Sequence, residues 1–171
     1  EVLSSKSENS GVYLLAPFGS IDHLIDYLGM GDSYTSGEGA FDYTEGTDSP
    51  TNSCHLSHNS YPILLTLDVF SATGGHSVAC SGAVINDIVN NSDGYVGQMR
   101  SGSSYKQLQQ GQPLLFQSIM TNYLPGYFAQ YRFASKYQPR VITVEVGGND
   151  IGFGDLVQSC VQPHLSRHQS D

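Results

Sequence analysis

The chain has 171 residues, enough for one domain that buries roughly 70% of its unfolded surface. Hydrophobic residues make up 39% and charged residues 13%, a composition that supports a core and excludes global disorder. Against 16 acidic residues stand only 7 basic ones, for a formal charge of −9. Cations so few and scattered exclude a nucleic-acid backbone or an anionic lipid surface as partner.

Residues Glu1 to Ser20 form a polar lead. Its apolar patch, Val12–Phe18, is far below the ~18 residues of a membrane span and lacks the basic flank of a signal peptide. A first residue of Glu rather than Met points to a processed or excised chain. Residues 1–24 read as a lead segment and 25–171 as one domain. Ile25 to Met30 reads as a buried strand ending at the turn signal Gly31-Asp32-Ser33. Tyr34 to His58 is rich in Gly, Ser, Thr and Asn and reads as a long loop, of the length that is functional or mobile inside a domain. Ser60 to Phe70 reads as a helix capped by Ser60, with Pro62 in its first turn and Ile63, Leu64, Leu67 and Phe70 on one face. His76 to Cys80 is a short strand, Gly82 to Val89 a helix, and Asn90 to Gly111 a polar loop. Leu114 to Lys136 is helical with a break at Pro125-Gly126. Val141 to Val146, an apolar β-branched run, is the clearest strand, and it ends at Gly147-Gly148-Asn149-Asp150.

Helices alternating with strands predict a parallel sheet with right-handed crossovers. In such sheets ligand groups gather at the carboxyl ends of the strands. Here those ends carry Asp32-Ser33, Ser81-Gly82 and Asn149-Asp150, which should converge on one crevice. A serine at a strand-to-loop turn exposes a nucleophilic hydroxyl, and acyl transfer also needs a base and oxyanion donors. The Ser33 N–H, the Gly82 N–H and the Asn149 amide are of the right kind, because glycine admits close approach and Asn donates without charge. One Asp-Ser pair alone reads as a helix cap; three such strand ends read as a site.

Gly31-Asp32-Ser33-Tyr34-Thr35-Ser36-Gly37-Glu38-Gly39 resembles block I of the SGNH (GDSL-type) hydrolases, in the form of secreted actinobacterial esterases and lipases. Ala79-Cys80-Ser81-Gly82-Ala83 is similar to block II, and Gly147-Gly148-Asn149-Asp150 to block III. Cys54-His55 with Ser60-Tyr61-Pro62 resembles the segment between blocks I and II. The resemblance runs from about Tyr27 to Phe153. It implies a three-layer α/β/α sandwich, flavodoxin-like, and a serine ester hydrolase working through an acyl-enzyme. Ser33 would be the nucleophile, and Ser33, Gly82 and Asn149 the oxyanion hole. Asp32 and Asp150 would be supporting carboxylates, and no cofactor or metal is implied. The chain has three cysteines. Cys54 and Cys80 can close a modest loop, and the resemblance implies that they pair. Chain-entropy arithmetic gives that loop about 3.5 kcal/mol. The pairing and the composition imply an extracellular protein acting on a small-molecule or lipid ester.

The pattern departs from the family in one respect. The family's base is a His in an Asp-x-x-His block well beyond block III, and no such block occurs here. His164 and His168 follow block III too closely and lack the Asp; His55, His58 and His76 do not match either. Cys160 has no evident partner, and Val141–Val146 would be left as an apolar edge. These features imply the N-terminal part of a longer hydrolase whose remainder supplies the His. The alternatives are a non-catalytic ester- or glycan-binding domain of the same fold, and a chain completed by another polypeptide.

Other chemistries are less well supported by the residues. Gly29-x-Gly31 has Tyr34 where a dinucleotide fingerprint needs glycine, and there is no phosphate loop or Gly-x-Ser-x-Gly elbow. Cys54, His55, His58, His76 and Cys80 are zinc-type ligands at no standard spacing. Glu38, Asp42, Glu45 and Asp48 match no calcium loop and read as a solvated acidic loop. Tyr123, Tyr127, Phe128, Tyr131, Phe133 and Tyr137 read as packing aromatics rather than a carbohydrate platform. Asp150 reads as a cap for the turn that follows it, or as support for Asn149.

Overall fold

The structure is a computed structural model that describes residues 25–70, 74–98 and 102–165, with side chains as far as 160. The lead segment 1–24 and His168 lie outside the described residues, as does the side chain of His164. Three strands, β1 (Tyr27–Gly31), β2 (Gly75–Ser77) and β3 (Val141–Glu145), form a parallel sheet in the order β2-β1-β3. Tyr27 pairs with Gly75 on one side and Val141 on the other. The central strand β1 is buried along its whole length, as expected for a strand covered on both faces.

Alternation along β1 sorts its residues between two helical layers. On one face lie Tyr27 and Gly29, covered by α2 (Tyr61–Asp68). Phe70 stacks on Tyr27 with ring centroids 5.0 Å apart. The glycines make close approach possible: a Cβ on Gly29 would lie 2.5 Å from the Pro62 Cβ, and one on Gly75 2.6 Å from the Thr66 hydroxyl. On the other face Leu28 and Met30, with Ile142 and Val144 of β3, meet the main core of Ile119, Met120, Phe128 and Phe133. Those core residues come from α5 (Pro113–Thr121), α6 (Tyr131–Tyr137) and the segment between them. Each fully buried side chain of this size contributes about 1.5–3 kcal/mol. The result is the α/β/α layering that the resemblance implies.

Several predicted elements are corrected. The Tyr34–His58 loop begins as a helical turn, α1 (Ser33–Ser36), because Asp32 caps it by accepting from the Tyr34 N–H at 3.1 Å. Ser60 stands at the N-cap of α2 but makes no capping bond, and its buried hydroxyl has no partner among the described residues. The apolar face predicted for that helix packs only in part: Phe70 meets the sheet as expected, but Leu64 and Leu67 are exposed, and Pro62 and Thr66 take the contact instead. The helix predicted from Gly82 starts only at α3 (Ile85–Val89), because Gly82 adopts a left-handed φ of 78°. The polar loop 90–111 ends in a helix, α4 (Tyr105–Gly111), nucleated by a reciprocal capping box between Ser104 and Gln107. The break in 114–136 starts at Asn122, ahead of Pro125. A further helix, α7 (Phe153–Leu165), follows block III.

Candidate active site

The three strand ends are tied to one another by backbone hydrogen bonds. The Asp32 N–H donates to the Glu145 carbonyl at 3.0 Å, and the Cys80 N–H to the Gly31 carbonyl at 3.1 Å. From block III, the Asn149 side-chain amide donates to the Ala83 carbonyl at 2.9 Å. Asp150 accepts the Ile85 N–H at 3.1 and 3.2 Å, so it caps α3 across the crevice rather than the turn that follows it. Blocks I, II and III therefore meet at one end of the sheet.

Among the described residues, neither the Ser33 N–H nor the Gly82 N–H donates to a protein acceptor. Ser33 is the first residue of α1, where the N–H groups have no intrahelical acceptor. Asn149 has two amide hydrogens and gives one to Ala83, leaving one to donate. Asp32 is 3% exposed; burial, reinforced by the nearby Asp150 carboxylate, raises its pKa against the lowering effect of its cap bond. A cavity of about 240 Å³ is lined by Asp32, Tyr34, Glu145, Val146, Gly148 and Phe153. A second, of about 310 Å³, is lined by residues including Cys54, Cys80, Ser81 and Gln98.

Cys54 and Cys80 are disulfide-bonded, and Cys160 is free and exposed. The bridge fastens the loop after α1 to block II, where the Ser81 N–H also donates to the Cys54 carbonyl at 2.9 Å.

None of the described imidazoles is placed to serve Ser33. His55 turns Nδ1 to Glu38 at 2.6 Å and Nε2 to Asp48 at 3.4 Å. His58 faces Asp42 and Thr44. His76 belongs to β2, within the strand expected from His76 onward, and stacks on Tyr123 at 3.5 Å between centroids. Of the acidic loop, Glu38, Asp42 and Asp48 are thus histidine partners. Tyr123, Phe128 and Phe133 are buried in the core, in line with a packing role.

Two residues were missed by the sequence reading. Gln130, 2% exposed, clamps Gly31: its Oε1 accepts from the Gly31 N–H at 2.7 Å and its Nε2 donates to the Gly31 carbonyl at 2.8 Å. Gln98 donates from Nε2 to the Ser81 carbonyl. No local pattern marks either one; a lone Gln among turn and aromatic residues is the only signal.

The fold is of the α/β class, a parallel sheet between helices with its polar groups at one set of strand ends. No family model matches the chain. A lipase of Streptomyces rimosus is 27% identical over 135 residues, covering 79% of this chain and 34% of that protein. Lipase 1 of Streptomyces coelicolor is 26% identical over 135 residues, with the same coverage of 79% and 34%. The crystal structure of phospholipase A1 from Streptomyces albidoflavus superposes with a TM-score of 0.45 at 25% identity, covering 80% of this chain and 39% of that one. The chain spans about a third of the length of the curated relatives it matches. At this low identity, the two lipases support the SGNH (GDSL-type) hydrolase family to which the three blocks point.

Proposed function

We propose that this chain carries the nucleophile and oxyanion hole of a serine ester hydrolase. The observation that carries the reading is a pair of N–H groups, Ser33 and Gly82, that have no acceptor among the described residues and lie on strand ends that hydrogen bonds draw together. The Ser33 Oγ attacks the ester carbonyl carbon; a C–O bond forms and the carbonyl electron pair moves onto oxygen. The Ser33 N–H, the Gly82 N–H and the free Asn149 hydrogen stabilise that charge. A histidine from outside the described residues takes the hydroxyl proton and returns it to the departing alcohol as the ester C–O bond breaks. Water then repeats the sequence on the acyl-enzyme and releases the acid. Asp32 and Asp150 hold the α1 turn and the Asn149 turn in place. An extracellular location belongs to the same reading and is supported by the disulfide.

The test is Ser33→Ala in the full-length protein. Hydrolysis of short acyl esters should vanish while the circular dichroism spectrum and melting temperature stay unchanged; retained turnover would overturn the reading. A second reading is favoured by the engagement of His55, His58 and His76 elsewhere: an ester- or glycan-binding domain of the same fold without turnover. Fluorophosphonate labelling separates the two, because only an activated Ser33 reacts quickly.

A further inference from the structure

We infer that Gln98 is a positioning residue for the oxyanion donor Gly82; the inference rests on the reading of Ser33 and Gly82 given above. The Ser81 carbonyl and the Gly82 N–H belong to one planar trans peptide, so they point in opposite directions. Whatever holds the carbonyl therefore aims the N–H. The Gln98 amide donates from Nε2 to that carbonyl. A reversed amide would set two acceptors against each other, so Nε2 is the atom that faces Ser81.

The peptide needs such a hold. It ends at a glycine with φ 78°, the residue type least able to keep an orientation unaided. Its neighbours are fixed separately, by the Ser81 N–H on Cys54 and by Asn149 on Ala83. The 81–82 peptide itself is held by Gln98.

Gln98 is in turn firmly seated. A Cβ on the preceding Gly97, which has φ 74°, would lie 2.4 Å from the Tyr127 carbonyl carbon and oxygen. That turn rests directly on the backbone of the aromatic segment. Gln98 also keeps an unfavourable feature: its Oε1 is buried with no partner among the described residues. Gln98 satisfies the end that meets Ser81.

The experiment uses the full-length protein, short acyl esters and an alkyl boronic acid, whose tetrahedral adduct with Ser33 puts a charged oxygen in the oxyanion hole. Gln98→Met and Gln98→Glu both keep the side-chain volume and remove the Nε2 donor. The expected result in each is a fall in kcat of about 10–100-fold with KM unchanged, less than the loss of a whole oxyanion donor. Boronate affinity should fall by the same factor, which a purely structural role would not produce. Melting curves show that the folded population is being measured, and the Glu variant keeps the test open if Met packs poorly. A kcat within about twofold of wild type in a folded variant, or a loss of kcat with boronate affinity retained, would overturn the inference. Failure of the Ser33 reading is seen separately, as Ser33→Ala retaining activity.

Discussion

His76 shows how a single side chain makes this fold sensitive to acid. Its ring lies against Tyr123, and burial pushes its pKa below the ordinary histidine value of 6.5. As pH falls from that value toward the lowered one, the unfolded chain takes up a proton that the folded chain refuses. The unfolded state then binds more protons, so stability drops as pH drops. His76→Phe keeps the stacked ring and removes the titration. Its melting temperature relative to wild type should be more favourable at about pH 5 than at about pH 7.5; an offset equal at both would show that His76 does not titrate on unfolding. Gln130 works through hydrogen bonds instead. Gln130→Leu strips the Gly31 N–H of its acceptor in a buried setting, while the Gly31 carbonyl keeps the Cys80 N–H. One orphaned buried donor costs about 1–3 kcal/mol. A urea titration should show a lower midpoint at unchanged m value, whereas a change in m would mean a more open native state.

At the scale of elements, the contact of β1 with α2 depends on a missing side chain. Gly29 has an ordinary φ, so glycine is needed there for space alone: a Cβ would meet Pro62 Cβ at 2.5 Å and Pro62 Cγ at 2.9 Å. Gly29→Ala pushes the helix off the sheet and should cost about 1–3 kcal/mol. Adding Pro62→Gly removes the obstructing atoms, so the double variant should lose less than the sum of the single losses; simple additivity in a denaturation cycle would locate the strain elsewhere. This contact also explains what the sequence made legible. β1 and β3 are read directly, because their apolar residues have no competing helical pattern. The packed face of α2 is not, because Leu64 and Leu67 imitate a buried stripe while the sheet, with Gly29 and Gly75, accepts the bulk of Pro62 and Thr66. α4 is hidden by its polarity: within Tyr105–Gly111 only Leu108 is buried. In the site, Ser33, Gly82 and Asn149 follow local motifs and could be read as candidates. Gln98 and Gln130 act across 17 and 99 residues, distances that leave no trace in a window of sequence.

At the scale of the whole molecule, the charge balance bears on what can approach the crevice. The net charge is −9, and Glu38, Asp42, Glu45 and Asp48 all lie in the loop that follows Ser33. Glu38 is close to the turn that carries Ser33, since its N–H donates to the Ser33 carbonyl at 3.0 Å. His55 and His58 pair with carboxylates of this loop, and the four acidic residues outnumber the two histidines. The approach to the crevice is therefore negative, and an anionic interface is repelled over roughly the Debye length, ~10 Å at 0.1 M salt. On the ester-hydrolase reading, one short ester can be presented in zwitterionic vesicles and in vesicles with added anionic lipid. The anionic vesicles should give a higher apparent KM at low salt with kcat unchanged, because repulsion acts on encounter and not on the acyl-transfer step. Raising the salt to about 1 M, where the Debye length is ~3 Å, should close most of the gap. Glu45→Gln with Asp42→Asn should narrow it at low salt without altering turnover of a soluble neutral ester. A gap that ignores salt would trace the preference to headgroup contacts rather than to the field, and a preference for anionic vesicles would reverse the argument.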